Sequence, residues 1–337
     1  MSFKHAVHMA AASFLASGLL VACQGQAISQ ERQTNVDVDH HVHVHSPQML
    51  AFLPEYCASA GRVSTCPEVF VNPPDLHSLI QQMDEAGVQQ AHVMSSAYLA
   101  HSPMMVPARA DADELVRATN DYTVELARES QGRLVAFVSV NPLAPGAVAE
   151  VERWAGQAAA AGLKLHLTNS GVDLRNPDHV ASLARVFAVA ERNRMVVTIH
   201  MRTRAEDYGA RDVQVFMKEV LSQAPHIRVV LAHSGGWGGL DDATWRALEA
   251  FAEVRTQDQP GASQLYFELG QVYKADTPQA DLERLVGLMR RIGMTRFLPG
   301  SDWPFSGNLD AYLNDSFRRL PLTPAEADLV RHNRVFP

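Results

Sequence analysis

The sequence predicts a single (β/α)8 barrel, and three observations carry that expectation. Short apolar strands alternate with amphipathic helices eight times between Asp37 and the C-terminus. The residues that break the apolar strand pattern are histidines, a lysine and an aspartate, and they fall at strand ends, where such a barrel keeps its functional groups. After the first strand, where a doubly wound open sheet normally carries a glycine-rich phosphate loop, this chain has histidines. The open sheet is the alternative architecture. No sequence repeat beyond the alternation is visible, and no internal linker divides the barrel.

The first strand is the D-V-D-H-H-V-H-V-H run from Asp37 to His45. Val38, Val42 and Val44 share one parity and Asp39, His41, His43 and His45 the other, which predicts an apolar back and a histidine-rich front. His41 and His43 are then about 7 Å apart on one side of the strand, close enough to share one metal ion. Taken alone, an H-x-H pair reads better as a solvated edge or an adventitious chelator. A long loop is expected from Ser46 to Pro74, with Cys57 and Cys66 in it. Asp75 caps a helix carrying Leu76, Leu79, Ile80 and Met83, stopped by Gly87.

The alternation then continues. Strand 2 is read at 90–96, followed by a helix through Leu115, Ala118, Tyr122 and Leu126, and strand 3 at 134–140. A helix carries Val148, Val151, Trp154 and Ala158 before strand 4 at 163–167, and Asn176-Pro177 opens the next helix. Strands 5 to 8 are read at 196–200, 227–233, 265–269 and 297–300, with helices around Val213, Trp245 and Leu282 between them. A last barrel helix is marked by Leu309, Tyr312 and Leu313, and Thr323-Pro324-Ala325-Glu326 is a capping box for a terminal helix.

The chain has 337 residues, 47% of them hydrophobic, and a net charge of −8, a globular composition that argues against a nucleic-acid partner. The N-terminus is separate in character. Lys4 precedes an apolar stretch at 6–22 that leads to Leu20-Val21-Ala22-Cys23 and then a polar segment. This looks like a bacterial lipoprotein signal with Cys23 as lipid acceptor, followed by a flexible tether at 24–36 and the barrel at 37–337. The expectation is therefore an exported protein facing the periplasm, outer-membrane anchored, touching the membrane only through its lipid. A plain secretory signal or a short membrane anchor is the competing reading. In an oxidising compartment Cys57 and Cys66 are expected to form a structural disulfide.

The polar outliers collect at the ends of several strands. They are His41 and His43 on strand 1, Lys164 and His166 on strand 4, and His200 on strand 5. His233 ends strand 6 before Ser234-Gly235-Gly236, and Asp302 follows strand 8. The set D-x-H-x-H at 39–43, I-H at His200, V-L-A-H-S-G-G at His233 and G-S-D-W-P at 300–304 resembles the amidohydrolase superfamily. The terminal H-N-R-V-F at 332–336 is similar to the branch containing aminocarboxymuconate-semialdehyde decarboxylase.

That resemblance implies that His41, His43, His200 and Asp302 hold one divalent metal, zinc first and manganese second. His233 becomes the catalytic histidine beside it. Such an ion lowers the pKa of water to about 7. Asp302 shuttles the proton and His233 supports the carbonyl or oxyanion. Lys164 and His166 are read as second-metal or substrate residues: they resemble the strand of binuclear relatives in which a carbamylated lysine bridges two ions, while the remaining motifs side with one metal. Substrate contacts are expected from Arg202, Arg204, Trp237, Glu268 and Trp303, each equally readable as loop packing.

The reaction implied is hydrolysis of a small ester, lactone or amide. Non-oxidative decarboxylation on the same site is the alternative, and a non-catalytic zinc-binding lipoprotein a third reading. The partner is a small-molecule substrate, and a homodimer is compatible with the sequence.

Overall fold

The computed structural model describes residues 36–62 and 65–336. Cys23, the signal and tether residues 24–35 lie outside the described residues. The strands are β1 (Val38–His43), β2 (Gln90–Met94), β3 (Leu134–Ser139), β4 (Ala160–His166), β5 (Val196–His200), β6 (Val229–Leu231), β7 (Leu265–Glu268) and β8 (Phe297–Leu298). They lie side by side in chain order, all parallel. Backbone bonds close the seam between β8 and β1. His40 N–H donates to the Pro299 carbonyl (3.1 Å), Asp302 N–H to His41 (2.8 Å) and His43 N–H to Trp303 (2.7 Å). The result is the (β/α)8 barrel that the alternation predicts.

Strand alternation sorts the core into two layers. Val93, Val138, Leu163, Leu165, Ile199, Leu231 and Phe267 belong to the large cluster shared with the helices. Residues of the opposite parity, Met94, Phe137, Val196, Val230 and Leu298, cluster separately inside the barrel. Val335 joins that inner cluster, and the Phe336 ring lies 5.3 Å from His92 and 6.2 Å from Phe137. Val335 and Phe336 of the terminal motif therefore pack into the barrel interior, while His332 and Arg334 are exposed and pair with Asp37.

Helix starts follow their caps. Asp75 accepts from Ser78 N–H ahead of helix Leu76–Ala86, which stops at left-handed Gly87. Asn176 caps Pro177–Arg192, and Thr323 with Glu326 forms the capping box of Pro324–Arg331. Three expectations need correction. The segment expected to be loop contains helix Pro47–Ala58, with Ser46 accepting from Met49 N–H and a proline in the first turn, and a single turn at Glu68–Val71. The helix at Val148 ends at Arg153 rather than reaching Ala158, because β4 already begins at Ala160. Strands β6 and β8 are shorter than read, since His233 and Ser234 turn into left-handed conformation and Pro299 has no N–H for a ladder.

Cys57 and Cys66 are joined by a disulfide with Cα atoms 5.7 Å apart. Among the described residues, no helix is long and apolar enough to cross a membrane. Val36, counted with the tether from the sequence, is buried in the core.

Candidate metal centre

The site begins with an irregularity in β1. Its register against β2 shifts between Asp39 and Val42, a bulge that breaks the simple two-residue alternation. Both His40 and His41 are consequently buried with polar partners. His40 Nδ1–H donates to the Pro299 carbonyl (2.9 Å), and its ring meets that of His92 at 4.7 Å. Asp39 does not line the mouth; its carboxylate accepts the backbone N–H groups of His41 (3.1 Å) and Ser301 (2.9 Å) and so helps hold the seam. His45, expected on the histidine front, lies past the strand with Nδ1 2.7 Å from Ser96 Oγ.

His41 occupies the centre. Its Nδ1 lies 2.9 Å from Glu268 Oε2, which fixes the proton on Nδ1 and leaves a lone pair on Nε2. That Nε2 is 2.8 Å from Lys164 Nζ and 3.6 Å from Asp302 Oδ1. Asp302 Oδ1 also lies 3.1 Å from His43 Nε2. Lys164 is almost fully buried, and its hydrogen-bond partner is the His41 imidazole.

His233 enters from β6 at φ +52°. Its Nδ1–H donates to the Gly270 carbonyl (2.7 Å), so its Nε2 also carries the lone pair. The ligand atoms of His41, His233 and Asp302 all lie within 4.8 Å of one another, a buried group that can hold a metal ion. His200 lies beside this trio, with its ring 5.3 Å from His233 and stacked 4.0 Å from His166. Nδ1 of His200 has no protein partner.

Burial dominates the electrostatics. It pushes His41, His166 and His200 well below the ordinary imidazole range and His43 to about 3, and the neighbouring Lys164 charge adds to this. Burial also raises Asp302 to about 6, against the opposing pull of His233 and Lys164. It raises Glu268 and lowers Lys164, each limiting the other's shift. Neutral imidazoles with inward lone pairs beside a buried carboxylate are the donor set that a divalent cation requires. The residues present fit such an ion.

The site opens into a cavity of about 500 Å³ whose wall includes His43, Lys164, His166, His200, His233 and Asp302. Of Arg202, Arg204, Trp237, Glu268 and Trp303, Trp237 lines it, as do Lys164 and His166. Arg202 instead pairs with Asp241 (2.7 Å) and lies over the Trp237 ring, and Arg204 rests on Met104 Sδ. Glu268 and Trp303 are buried, the latter in the hydrophobic core.

Sequence reasoning missed Tyr98, Asn169, Arg62, Lys274, Phe70 and Phe305 in the cavity wall. Phe70 and Phe305 stack on each other, and they meet the His45 and His43 rings edge-on. Only Tyr98 and Asn169 carried a usable signal, each falling just past a strand end.

A family model described as Amidohydrolase matches residues 36–332. No curated protein matches the sequence. Among solved structures, the chain is similar to 5-carboxyvanillate decarboxylase from Sphingomonas paucimobilis, at 14% identity over 88% of this chain and 96% of that one, with a TM-score of 0.64. A second is 5-carboxyvanillate decarboxylase from Novosphingobium aromaticivorans, complexed with manganese and 4-hydroxy-3-methoxy-5-nitrobenzoic acid (11%, 89% and 95%, TM-score 0.60). A third is an amidohydrolase from Burkholderia multivorans with bound zinc (17%, 88% and 95%, TM-score 0.58).

Proposed function

The chain belongs to the amidohydrolase family, and on that premise we propose that it is a metal-dependent hydrolase cleaving a small ester, lactone or amide. The observation that carries the reading is the buried His41–His233–Asp302 group beside an open cavity. We assign one divalent ion to His41, His43, His200 and Asp302, zinc before manganese; the manganese and zinc in two similar structures support that choice of ions. When bound, the ion supplies Lewis-acid polarisation of water or a carbonyl.

The chain's own groups do the rest. Asp302, buried and raised to about 6, takes the proton of the attacking water and returns it to the leaving group. Burial holds the His233 imidazole below its ordinary range, against the opposing pull of Asp302 and the Gly270 carbonyl; with Nδ1–H committed to Gly270, His233 donates from Nε2 only once it has gained a proton. In that form it stabilises a developing oxyanion.

One observation favours a second reading, decarboxylation. The wall combines the rings of Phe70, Tyr98, Trp237 and Phe305 with the cations Arg62 and Lys274, a lining suited to a flat aromatic acid. Two of the similar structures are decarboxylases of such a compound by name. Here Asp302 would return a proton to the ring carbon that loses CO2.

The test incubates metal-loaded protein with aryl esters and lactones and, separately, with hydroxybenzoates, recording acid release by pH-stat and CO2 by gas analysis. Acid release from the esters, abolished in Asp302→Asn, is the expected result. CO2 from the benzoates without ester cleavage selects the second reading. Metal analysis in the presence of bicarbonate should give one equivalent, retained in Lys164→Ala. Two equivalents, lost on that substitution, would instead point to a carbamylated Lys164 bridging a pair of ions.

A further inference from the structure

Glu268 ends β7 with no solvent exposure, yet it is the most heavily used carboxylate of the centre. Its Oε2 accepts from His41 Nδ1–H (2.9 Å) and from the backbone N–H of His233 (3.1 Å), while Oε1 accepts from Gly270 N–H. Its backbone carbonyl takes the Ser234 hydroxyl at 3.0 Å. One residue thus reaches the first strand, the left-handed turn after β6 and the exit of its own strand. Room for it comes from glycines, because a Cβ on Gly300 or on Gly270 would collide with Oε1. The glycine of G-S-D-W-P is therefore explained by Glu268 rather than by the aspartate that follows.

We infer that Glu268 is a positioning residue of the metal centre: it sets the tautomer of His41 and the backbone of His233, so that both Nε2 atoms converge with Asp302. The inference rests on the metal-site reading above. It replaces the role of substrate contact, which the burial of Glu268 forbids. Carboxylates that orient a ligating histidine from behind contribute 10- to 100-fold in metal affinity.

The test is Glu268→Gln. A carboxamide keeps the shape and has one acceptor oxygen, so it cannot serve His41, His233 and Gly270 together. Three readouts are taken on wild type and variant: Zn(II) affinity by chelator competition, the visible spectrum with Co(II), and the melting temperature of the metal-free protein. The expected result is a 10- to 100-fold loss of affinity and an altered Co(II) spectrum, with metal-free melting within a few degrees of wild type.

Equal affinity and an identical spectrum in a variant whose parent binds one equivalent would overturn the inference while leaving the metal site standing. A wild type that binds no ion would overturn both. If Glu268→Gln does not fold, Gly300→Ala, which crowds the same carboxylate, should weaken metal binding; undiminished affinity there would also refute the proposal.

Discussion

At the residue scale the centre is built from strained positions. His233, Ser234 and Asp302 all have positive φ, a conformation costing a non-glycine residue about 1–3 kcal/mol and kept only where its surroundings enforce it. The enforcing contacts are local: Glu268 holds the His233 and Ser234 turn, and the His41 carbonyl accepts Asp302 N–H. His233 presents the oxyanion-stabilising group of the proposed chemistry and is no assigned ligand, so its role should separate by substitution from those of the ligands. His200→Ala should lose metal, because it removes one of four assigned ligands. His233→Ala should keep the metal and lose turnover by about 100-fold or more, the scale of a lost oxyanion donor. Metal content of the two dialysed variants decides the point. Metal loss in His233→Ala would move His233 into the ligand set, as its place in the compact trio with His41 and Asp302 allows.

At the element scale, what the sequence revealed depended on how local its signals were. Caps at Asp75, Asn176 and Thr323 announce helices because a single side chain satisfies an orphan N–H there. Ser46-Pro47 is the same signal, but Pro54 inside that helix and the many flanking prolines disguised it as loop. The bulge in β1 was invisible, since register depends on the neighbouring strand rather than on parity within one strand. The cavity wall was equally hidden, because Arg62, Phe70 and Lys274 reach it from loops and a short turn with no fixed spacing to the motifs.

The disulfide ties this wall together, joining the end of helix Pro47–Ala58 to Cys66, itself in the cavity lining and just before the turn that carries Phe70. Replacing both cysteines by serine should cost about 2–3 kcal/mol, as closing a short loop predicts. It should also raise KM more than it lowers kcat, since the metal ligands lie on the barrel strands and loops at some distance in sequence. Denaturant unfolding and steady-state kinetics measure both. An unchanged KM would detach this segment from substrate binding.

At the scale of the whole molecule, the barrel and the N-terminal segment make separate claims on location. The seam formed by β1, Pro299 and Trp303 closes the barrel, and the family match begins at residue 36. A disulfide in the wall of the site is at home in an oxidising compartment and rare in a reducing one. That chemistry agrees with the export proposed from Lys4, the apolar stretch at 6–22 and Cys23. If Cys23 carries lipid, its acyl chains supply membrane affinity, each buried CH2 contributing about 0.8 kcal/mol. Wild type should then label with fatty acid and sediment with membranes. Cys23→Ser should stay soluble in the periplasm or medium with kcat/KM unchanged, because Cys23 supplies none of the groups assigned to the centre. Wild type that takes up no fatty acid would end the lipoprotein proposal, and a Cys23→Ser protein that still sediments with membranes would show that something other than the lipid holds it there.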